Sequence, residues 1–212
     1  MTTLSRFSGR DLIGIAFTGS GKTLAFCLPL IMMALEEEMK LPFIRGEGPV
    51  GIILCPSREL ATQTYENVLS WCSTLADDSY PQLNTLLCIG GISMSEQSHN
   101  MSKGLHIVVA TPGRLIDMLE KKRFTLNNCK FLCMDEADRM IDLGFEDDVR
   151  NIMSFFKARH LMCSVPECLL RAASKANSSI LCYDATENSG ICSAIFDQAC
   201  PRQCRSRWGC ES

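Results

Sequence analysis

Short apolar runs alternate with longer stretches of helical periodicity between residue 11 and about residue 157. Brief, nearly continuous apolar runs bounded by turn residues are typical of parallel strands that are buried on both faces. The helical stretches between them are long enough to connect one parallel strand to the next. The pattern therefore predicts strands at residues 12–17, 51–55, 86–89, 107–110 and 131–134.

A helix is predicted after each strand. Pro29 lies inside the first helix, where it is expected to remove one hydrogen bond and bend the axis, at a cost of about 3 kcal/mol unless packing compensates. Residues 40–49 are predicted to form an exposed loop. The alternation of strands and helices predicts an α/β fold, a mostly parallel sheet with helices on both faces. The helices are predicted at residues 22–39, 58–74, 95–102, 113–121 and 145–156.

Residues 16–23 read A-F-T-G-S-G-K-T, after the first predicted strand and at the start of the first predicted helix. This spacing and context are those of a phosphate-binding P-loop. Glycines let the loop amides turn toward the phosphates, and the helix adds the positive end of its dipole. The residues predicted to bind the nucleotide are Ala16, Thr18, Gly19, Ser20, Gly21, Lys22 and Thr23.

An acidic motif, D-E-A-D at residues 135–138, follows the last predicted strand. Ligands of parallel sheets gather beyond the carboxyl ends of the strands, so Asp135 is expected to bind Mg²⁺ together with the Thr23 hydroxyl. Lys22 is expected to reach the β and γ phosphates, and Glu136 to position or activate the attacking water. The predicted catalytic residues are Lys22, Asp135 and Glu136, and Asp138 is added to the nucleotide-binding residues.

The composition suits one domain of this kind. The chain has 212 residues, a length that is too short for two such domains. Of these residues 46% are hydrophobic, which is enough for one core. The longest apolar stretch, residues 24–35, is too short to span a bilayer, so we expect a soluble intracellular protein without membrane contact. Because the net charge is −3, any nucleic-acid contact must come from a local basic surface.

Thirteen cysteines are present. This number is odd, and five of them lie within apolar segments, where cysteine behaves as a small buried hydrophobe. No disulfide framework is therefore predicted. Zinc binding by Cys129 and Cys133 is an alternative, but no second ligand pair lies nearby. The five cysteines in apolar segments are Cys27, Cys55, Cys88, Cys129 and Cys133.

Four further motifs appear in order along the chain. With the P-loop and the D-E-A-D motif, they make residues 9 to about 157 resemble the first RecA-like domain of a DEAD-box ATP-dependent RNA helicase, most closely the Abstrakt-type members. The resemblance implies a RecA-like P-loop NTPase fold, with ATP and Mg²⁺ as cofactors. The motifs are P-S-R-E-L-A at 56–61, G-G at 90–91, T-P-G-R at 111–114 and R-M-I-D-L-G-F-E at 139–146.

The resemblance also implies that three of these motifs bind one RNA strand through its backbone, independently of sequence. Arginine forks suit phosphates, hydroxyls are short-range donors, and glycines allow backbone amides to approach. Each motif alone is also compatible with an ordinary helix start. The charge runs at residues 36–38 and 121–123 are interpreted as solvated helix ends. The implied RNA-binding residues are Pro56, Ser57, Arg58, Gly90, Gly91, Thr111, Pro112, Gly113 and Arg114.

By resemblance, the expected activity is ATP hydrolysis coupled to local unwinding of RNA duplexes. We expect a monomer, nuclear or cytoplasmic with the nucleus favoured, and spliceosomal proteins as partners. The chain departs from the family in three ways: it lacks the adenine-reading glutamine motif before the P-loop, the serine-alanine-threonine motif, and the second RecA-like domain. Slow hydrolysis is therefore expected. The alternative is a catalytically idle fragment that holds ATP, RNA or a protein partner.

Residues 1–158 are interpreted as the ATP-binding domain and residues 159–212 as an atypical tail. Back-translation of residues 175–185, read one base later, permits R-Q-T-L-L-F-S-A-T-M-P, which is the missing motif with its flanks. The tail is therefore interpreted as out-of-frame or misassigned sequence that is not an independent domain, and we expect loose packing or wrong pairing. The rival interpretation is a genuine variant tail.

Overall fold

The computed structural model describes residues 12–15, 21–44, 46–92, 104–156 and 179–184. Within these ranges six strands form one sheet, in the order β1-β6-β5-β2-β4-β3. The strands are β1 (Leu12–Ile15), β2 (Gly51–Leu54), β3 (Thr85–Cys88), β4 (Ile107–Ala110), β5 (Phe131–Met134) and β6 (Ser179–Asp184).

Five helices lie in the described ranges. The fourth was not predicted from the sequence, and the predicted helix at residues 95–102 lies outside the described residues. Among the described helices, none combines the length and the hydrophobicity that a membrane span requires. The helices are α1 (Lys22–Lys40), α2 (Arg58–Asp77), α3 (Pro112–Glu120), α4 (Ala137–Asp142) and α5 (Glu146–Ser154).

The sheet is mostly parallel. β5, β2, β4 and β3 form a parallel block, and the α/β fold class predicted from the sequence is confirmed. β6 runs antiparallel to both of its neighbours, β1 and β5. Because β1 and β5 are both antiparallel to β6, β1 runs parallel to β5 and to the rest of the parallel block. Among the six described strands, β6 is the antiparallel one. No strand is predicted from the sequence in the tail that contains β6.

Both faces of the sheet are buried. Alternate residues of β2 contribute to two separate core clusters: Ile52 and Leu54 pack under α3 and α5, whereas Ile53 packs under α1 and α2. Successive side chains of a strand point to opposite faces, so a continuous apolar run is required where helices cover both. This explains why these strands lack the alternating pattern of half-exposed strands.

The segment between α1 and β2 contains no helix or strand among its described residues, as predicted, but it is only partly exposed. Leu41 and Ile44 are exposed, whereas Gly48 and Pro49 are buried. A Cβ atom at Gly48 would lie 1.6 Å from the carbonyl oxygen of Thr125. The prediction of an exposed loop was therefore wrong for Gly48 and Pro49, because the chain passes close to the backbone of Thr125 at Gly48.

Six cysteines outside β6 are buried. Burial raises the pKa of the Cys72 thiol to about 11 and of Cys88 and Cys129 to about 12. These thiols are neutral at physiological pH, and they pack as small hydrophobes, which agrees with the interpretation from sequence. The buried cysteines are Cys27, Cys55, Cys72, Cys88, Cys129 and Cys133.

The C-terminal end of α1 is attached to the strands beneath it. Glu37 accepts hydrogen bonds from Lys130 Nζ at 2.5 Å and Lys40 Nζ at 2.9 Å. Although burial opposes the change, these contacts lower the pKa of Glu37. Lys130 directly precedes β5, so this contact joins the last turns of α1 to the amino end of that strand.

A second contact joins α1 to the amino end of β4. His106, 1% exposed, accepts a hydrogen bond at Nδ1 from the Asn84 amide at 2.9 Å. A neutral imidazole that accepts at one nitrogen carries its proton on the other. Nε2 of His106 therefore donates to Glu38 Oε2, which lies 2.9 Å away.

Helix α3 ends in a Schellman motif in which lysine replaces the usual glycine. The Lys122 amide donates to Leu119 at 2.9 Å, and the Arg123 amide donates to Met118 at 3.0 Å. Lys122 has a φ of 50°. This left-handed conformation suits glycine and is unfavourable for a residue with a Cβ atom.

Lys122→Gly is expected to raise the free energy of unfolding by about 0.5–1 kcal/mol, because the strain is relieved. Urea denaturation of both proteins measures the difference. Lys121→Gly is the matched control, since Lys121 has a φ of −77° and gains nothing from glycine. Equal or lower stability of Lys122→Gly would contradict the expectation.

Candidate nucleotide and RNA site

The amino end of α1 has local features that favour binding of an anion. Gly21 is its N-cap, with a φ of 82°, and provides no side-chain hydrogen bond to the helix. Lys22 and Thr23 form the first turn, which contains no acidic residue. Helix N-termini present unpaired amides and a partial positive charge, both of which favour phosphate. The other predicted P-loop residues, Ala16, Thr18, Gly19 and Ser20, lie outside the described residues.

Asp135 lies at the carboxyl end of β5, and only 4% of its surface is exposed. Its amide donates to the carbonyl of Leu54, at the end of β2, at 2.9 Å. Burial, and then the charge of Glu136, raise the pKa of Asp135 to about 6, while the Lys22 ammonium lowers it. At the other end of α1, Glu37 and Glu38 bond to Lys130 and His106 at the amino ends of β5 and β4. The first turn of α1, with Lys22, therefore lies toward the carboxyl edge of the sheet, where Asp135 is.

Glu136 begins α4 in the left-handed region, with φ 51° and ψ 49°. Its Oε2 accepts a hydrogen bond from Nη1 of Arg139 at 2.7 Å. The side chain of Arg139 is 65% exposed, and that of Glu136 18%. No role for Arg139 is predicted from the sequence, although an acidic and a basic residue three positions apart on a helix commonly pair. Asp138, in the first turn of α4, is half-buried.

The donors at this edge of the sheet fit Mg²⁺. A buried carboxylate, Asp135, and a hydroxyl, Thr23, are hard oxygen donors, and both lie toward the carboxyl edge of the sheet. Mg²⁺ in nucleotide sites is usually held by one or two protein oxygens, substrate phosphates and water. Within the described ranges, no group of three or more His, Cys, Asp or Glu residues forms a metal-binding cluster.

Arg58 lies against the glycine pair. A Cβ atom at Gly90 would lie 3.1 Å from Nη2 of Arg58, and one at Gly91 would lie 3.3 Å from Nη1. Gly91 has a φ of 92°, so glycine is favoured there by both conformation and space. Ser57 caps α2, where its Oγ accepts from the Leu60 amide at 3.2 Å. Pro56 is buried.

The T-P-G-R motif begins α3 beside the same segment. Nη2 of Arg114 donates to the carbonyl of Ile92 at 2.7 Å. The Thr111 amide donates to Cys88, at the end of β3, at 3.1 Å. Pro112 occupies the first turn of α3, and a Cβ atom at Gly113 would meet no atom within 4 Å. Two predicted RNA-binding arginines, Arg58 and Arg114, therefore converge on residues 90–92.

Comparison with known families agrees with this arrangement. The family described as DEAD/DEAH box helicase matches residues 1–186. The chain belongs to the DEAD/DEAH box helicase family.

Named members of the family are closely similar. The chain is 60% identical over 152 residues to DEAD-box ATP-dependent RNA helicase 35A of Oryza sativa, covering 72% of this chain and 24% of that protein. It is 61% identical over 152 residues to ATP-dependent RNA helicase abstrakt of Drosophila melanogaster, covering 72% of this chain and 25% of that protein. The chain thus spans about a quarter of the length of these relatives.

A solved structure supports the same fold. The crystal structure of the yeast DEAD-box splicing factor Prp28 has a TM-score of 0.61 and 32% sequence identity, covering 83% of this chain and 41% of that chain. The resemblance to DEAD-box RNA helicases, including the Abstrakt type, is therefore confirmed.

Proposed function

We propose that this chain is the ATP-binding domain of an ATP-dependent RNA helicase, which binds ATP with Mg²⁺ and couples its hydrolysis to local unwinding of RNA duplexes. The observation that carries the proposal is the placement of the first turn of α1, with Lys22, toward the carboxyl edge of the sheet, where the buried Asp135 follows β5. Arg58 and Arg114 gather at the carboxyl ends of other strands in the same parallel block. The relatives named above are themselves called ATP-dependent RNA helicases.

Each group at the nucleotide site has a distinct part. Lys22 and the amides at the start of α1 bind the phosphates. Thr23 and Asp135 hold Mg²⁺, which supplies charge neutralisation at the phosphates when bound. Glu136 positions the attacking water and accepts its proton. The catalytic residues are therefore Lys22, Asp135 and Glu136, and Asp138 and the remaining P-loop residues complete the nucleotide site.

RNA binds across the neighbouring strand ends through its backbone. The guanidinium groups of Arg58 and Arg114 contact phosphates, and the glycines at 90–91 and 113 allow close approach of the chain. The contact is independent of base sequence, and the protein acts as a monomer. The remaining residues of this surface are Pro56, Ser57, Thr111 and Pro112.

We propose a nuclear location and spliceosomal partners. The support comes from a relative named pre-mRNA-splicing ATP-dependent RNA helicase prp28, of Sclerotinia sclerotiorum. This protein is 45% identical to the chain over 144 residues, which is 68% of this chain and 17% of that protein. Co-purification of the protein with spliceosomal RNA from nuclear extract tests the assignment, and recovery confined to cytoplasmic fractions would contradict it.

The proposed activity predicts ATP turnover that rises when RNA is added. RNA duplex is expected to stimulate phosphate release about tenfold, and Glu136→Gln is expected to remove that increment, since it deletes the proton acceptor while keeping the shape. Phosphate release is measured with and without duplex. Glu146→Gln, at the start of α5, is the matched control, because Glu146 is half-buried and bonded to an arginine, as Glu136 is. Absence of stimulation in the unaltered chain would contradict the proposal.

A second candidate function is to hold ATP and RNA without turnover. The contact between Arg139 and Glu136 favours this second function, because Arg139 donates a hydrogen bond to the carboxylate that is proposed as the proton acceptor. The same experiment separates the two functions. RNA binding without stimulated turnover would favour the idle form, whereas stimulation would favour the helicase.

We also propose that residues 1–158 are the functional domain and that residues 159–212 derive from an out-of-frame or misassigned reading. Support comes from the shifted back-translation of residues 175–185, which recovers a serine-alanine-threonine motif in the position where this family has one. Sequencing the transcript tests the proposal. A genomic sequence in which the shifted frame is unavailable would overturn it.

A further inference from the structure

The turn that follows β3 is contacted by helices from both faces of the sheet. This turn, residues 90–92, is called the glycine turn below. Arg58 of α2 lies against its two glycines, and Arg114 of α3 bonds to the carbonyl of Ile92. Helices α2 and α3 pack against the two separate core clusters, one on each face. The glycine turn is therefore held between the two helical layers.

The glycine turn needs contacts of this kind. Of the six described strands, β3 is the last in the sheet order, and β4 is its described neighbour. Gly91 has a φ of 92°. Glycine loses more conformational freedom on folding than any other residue, so two glycines in succession are costly to fix in one conformation. Bonds from side chains outside the turn offset that cost.

Arg114 is mostly buried, in contrast to Arg58. Only 12% of the Arg114 side chain is exposed, whereas Arg58 is exposed. Nη2 of Arg114 donates to the carbonyl of Ile92 at 2.7 Å, a distance typical of a charged donor. Oδ2 of Asp117 lies 3.9 Å from Nη1 of Arg114, which is too far for a hydrogen bond. The closer of these two contacts thus directs the guanidinium toward the glycine turn.

The guanidinium of Arg114 can serve the turn and the RNA together. It carries five N–H donors in a rigid planar fork. A donor bonded to the Ile92 carbonyl leaves others for a phosphate. Lysine supplies the same charge from a single flexible ammonium group and does not reproduce the fork. A change from arginine to lysine therefore separates the charge of Arg114 from its geometry.

We propose that Arg114 positions the glycine turn for the RNA backbone through its bond to Ile92. The inference deepens the proposed function and rests on it, because it assumes that RNA crosses this edge of the sheet. With respect to the turn, Arg114 is a positioning residue. A segment that is already fixed in its bound conformation loses less freedom on binding, so loosening the turn weakens RNA binding.

The test is a double-mutant cycle on the affinity of the full chain for a fluorescently labelled oligouridine, measured by anisotropy. Arg114→Lys is expected to weaken binding about tenfold, because the charged hydrogen bond is lost. Gly91→Ala is expected to weaken binding by a similar factor, because alanine is strained at this φ. The two changes together are expected to weaken binding about tenfold and not about 100-fold, since both act on the same turn.

Gly113→Ala is the matched control for Gly91→Ala. Gly113 belongs to the same proposed RNA surface, but a Cβ atom there would meet no atom within 4 Å. Its effect and that of Arg114→Lys are therefore expected to multiply. Affinity for ATP with Mg²⁺ in the absence of RNA is measured for every variant and is expected to stay within about twofold of the unaltered chain. A general loss of folding would lower both affinities.

Two kinds of result separate this inference from the proposed function. Unchanged oligouridine affinity in Arg114→Lys, a combined loss of about 100-fold with Gly91→Ala, or an equal fall in ATP affinity would overturn the positioning role. Each of these results leaves the proposed function intact. Absence of oligouridine binding by the unaltered chain would overturn both.

Discussion

Lys22→Ala is expected to weaken ATP binding about 100-fold, equivalent to about 2.7 kcal/mol. Lys22 is half-buried in the first turn of α1, and that turn contains no acidic residue. A hydrogen bond to a charged group contributes about 1.5–3 kcal/mol, and the loss also leaves phosphate charge unneutralised. Calorimetric titration with ATP and Mg²⁺ measures the change.

Lys121→Ala is the control for Lys22→Ala, since Lys121 is an exposed lysine at the end of α3. It is expected to leave ATP affinity unchanged. The Lys22 ammonium also lowers the pKa of Asp135, so the variant is expected to require a higher pH for Mg²⁺-dependent binding. Unchanged affinity in Lys22→Ala would contradict the assignment of the P-loop.

Asp135→Asn is expected to abolish the Mg²⁺ dependence of ATP binding and, at the same time, to stabilise the fold. Asp135 is 4% exposed, and burial raises its pKa from 3.8 to about 6. Its ionised form is therefore unfavourable in the folded protein. A shift of about two pKa units corresponds to about 3 kcal/mol, so we expect the variant to gain about 1–3 kcal/mol at pH 7.

The sign of the pH dependence follows from the raised pKa of Asp135. Between about pH 4 and pH 6 the folded state binds more protons at this group than the unfolded state, so its contribution to stability falls as pH rises through that range. Binding of Mg²⁺ changes in the opposite direction, because it requires the carboxylate. About nine tenths of Asp135 is ionised at pH 7 and about one tenth at pH 5, so Mg²⁺ affinity is expected to decline as pH falls.

Urea denaturation of Asp135→Asn and the unaltered chain at pH 5 and pH 7 tests this expectation. The stability difference should be larger at pH 7, and Mg²⁺ titration of ATP binding should show no saturation in the variant. Asp142→Asn is the control, because Asp142 is an exposed carboxylate at the end of α4. Equal stability of Asp135→Asn and the unaltered chain at pH 7 would contradict the expected destabilisation by the ionised Asp135 carboxylate.

Much of the fold could be predicted because its signals are local. Apolar runs identified β2, β4 and β5, since strands covered on both faces need continuous hydrophobicity. Helix α4 was missed because it has only six residues. Its N-cap, Glu136, also lies in the left-handed region, which helix propensities do not predict. β6 was missed because its neighbours in space, β1 and β5, are distant in sequence, and its antiparallel direction has no signature in a short apolar run.

The motifs located the candidate site, but not the contacts within it. The spacing of the P-loop and D-E-A-D motifs indicated that Lys22 and Asp135 share a ligand, since both residues lie beyond the carboxyl ends of strands in one sheet. The contact of Arg58 with the glycine pair joins segments about 30 residues apart and could not be derived from spacing. The bond between Arg139 and Glu136 was overlooked, although a spacing of three residues on a helix is a signal for such a pair.

The attachment of α1 at its C-terminal end limits how this domain can respond to a nucleotide. Glu37 bonds to Lys130 before β5, and Glu38 contacts His106 before β4. Sliding or rotating the helix as a whole would break both contacts at once. We therefore expect the last turns of α1 to stay fixed on the sheet, so that adjustment of this helix to phosphate occurs in its first turns.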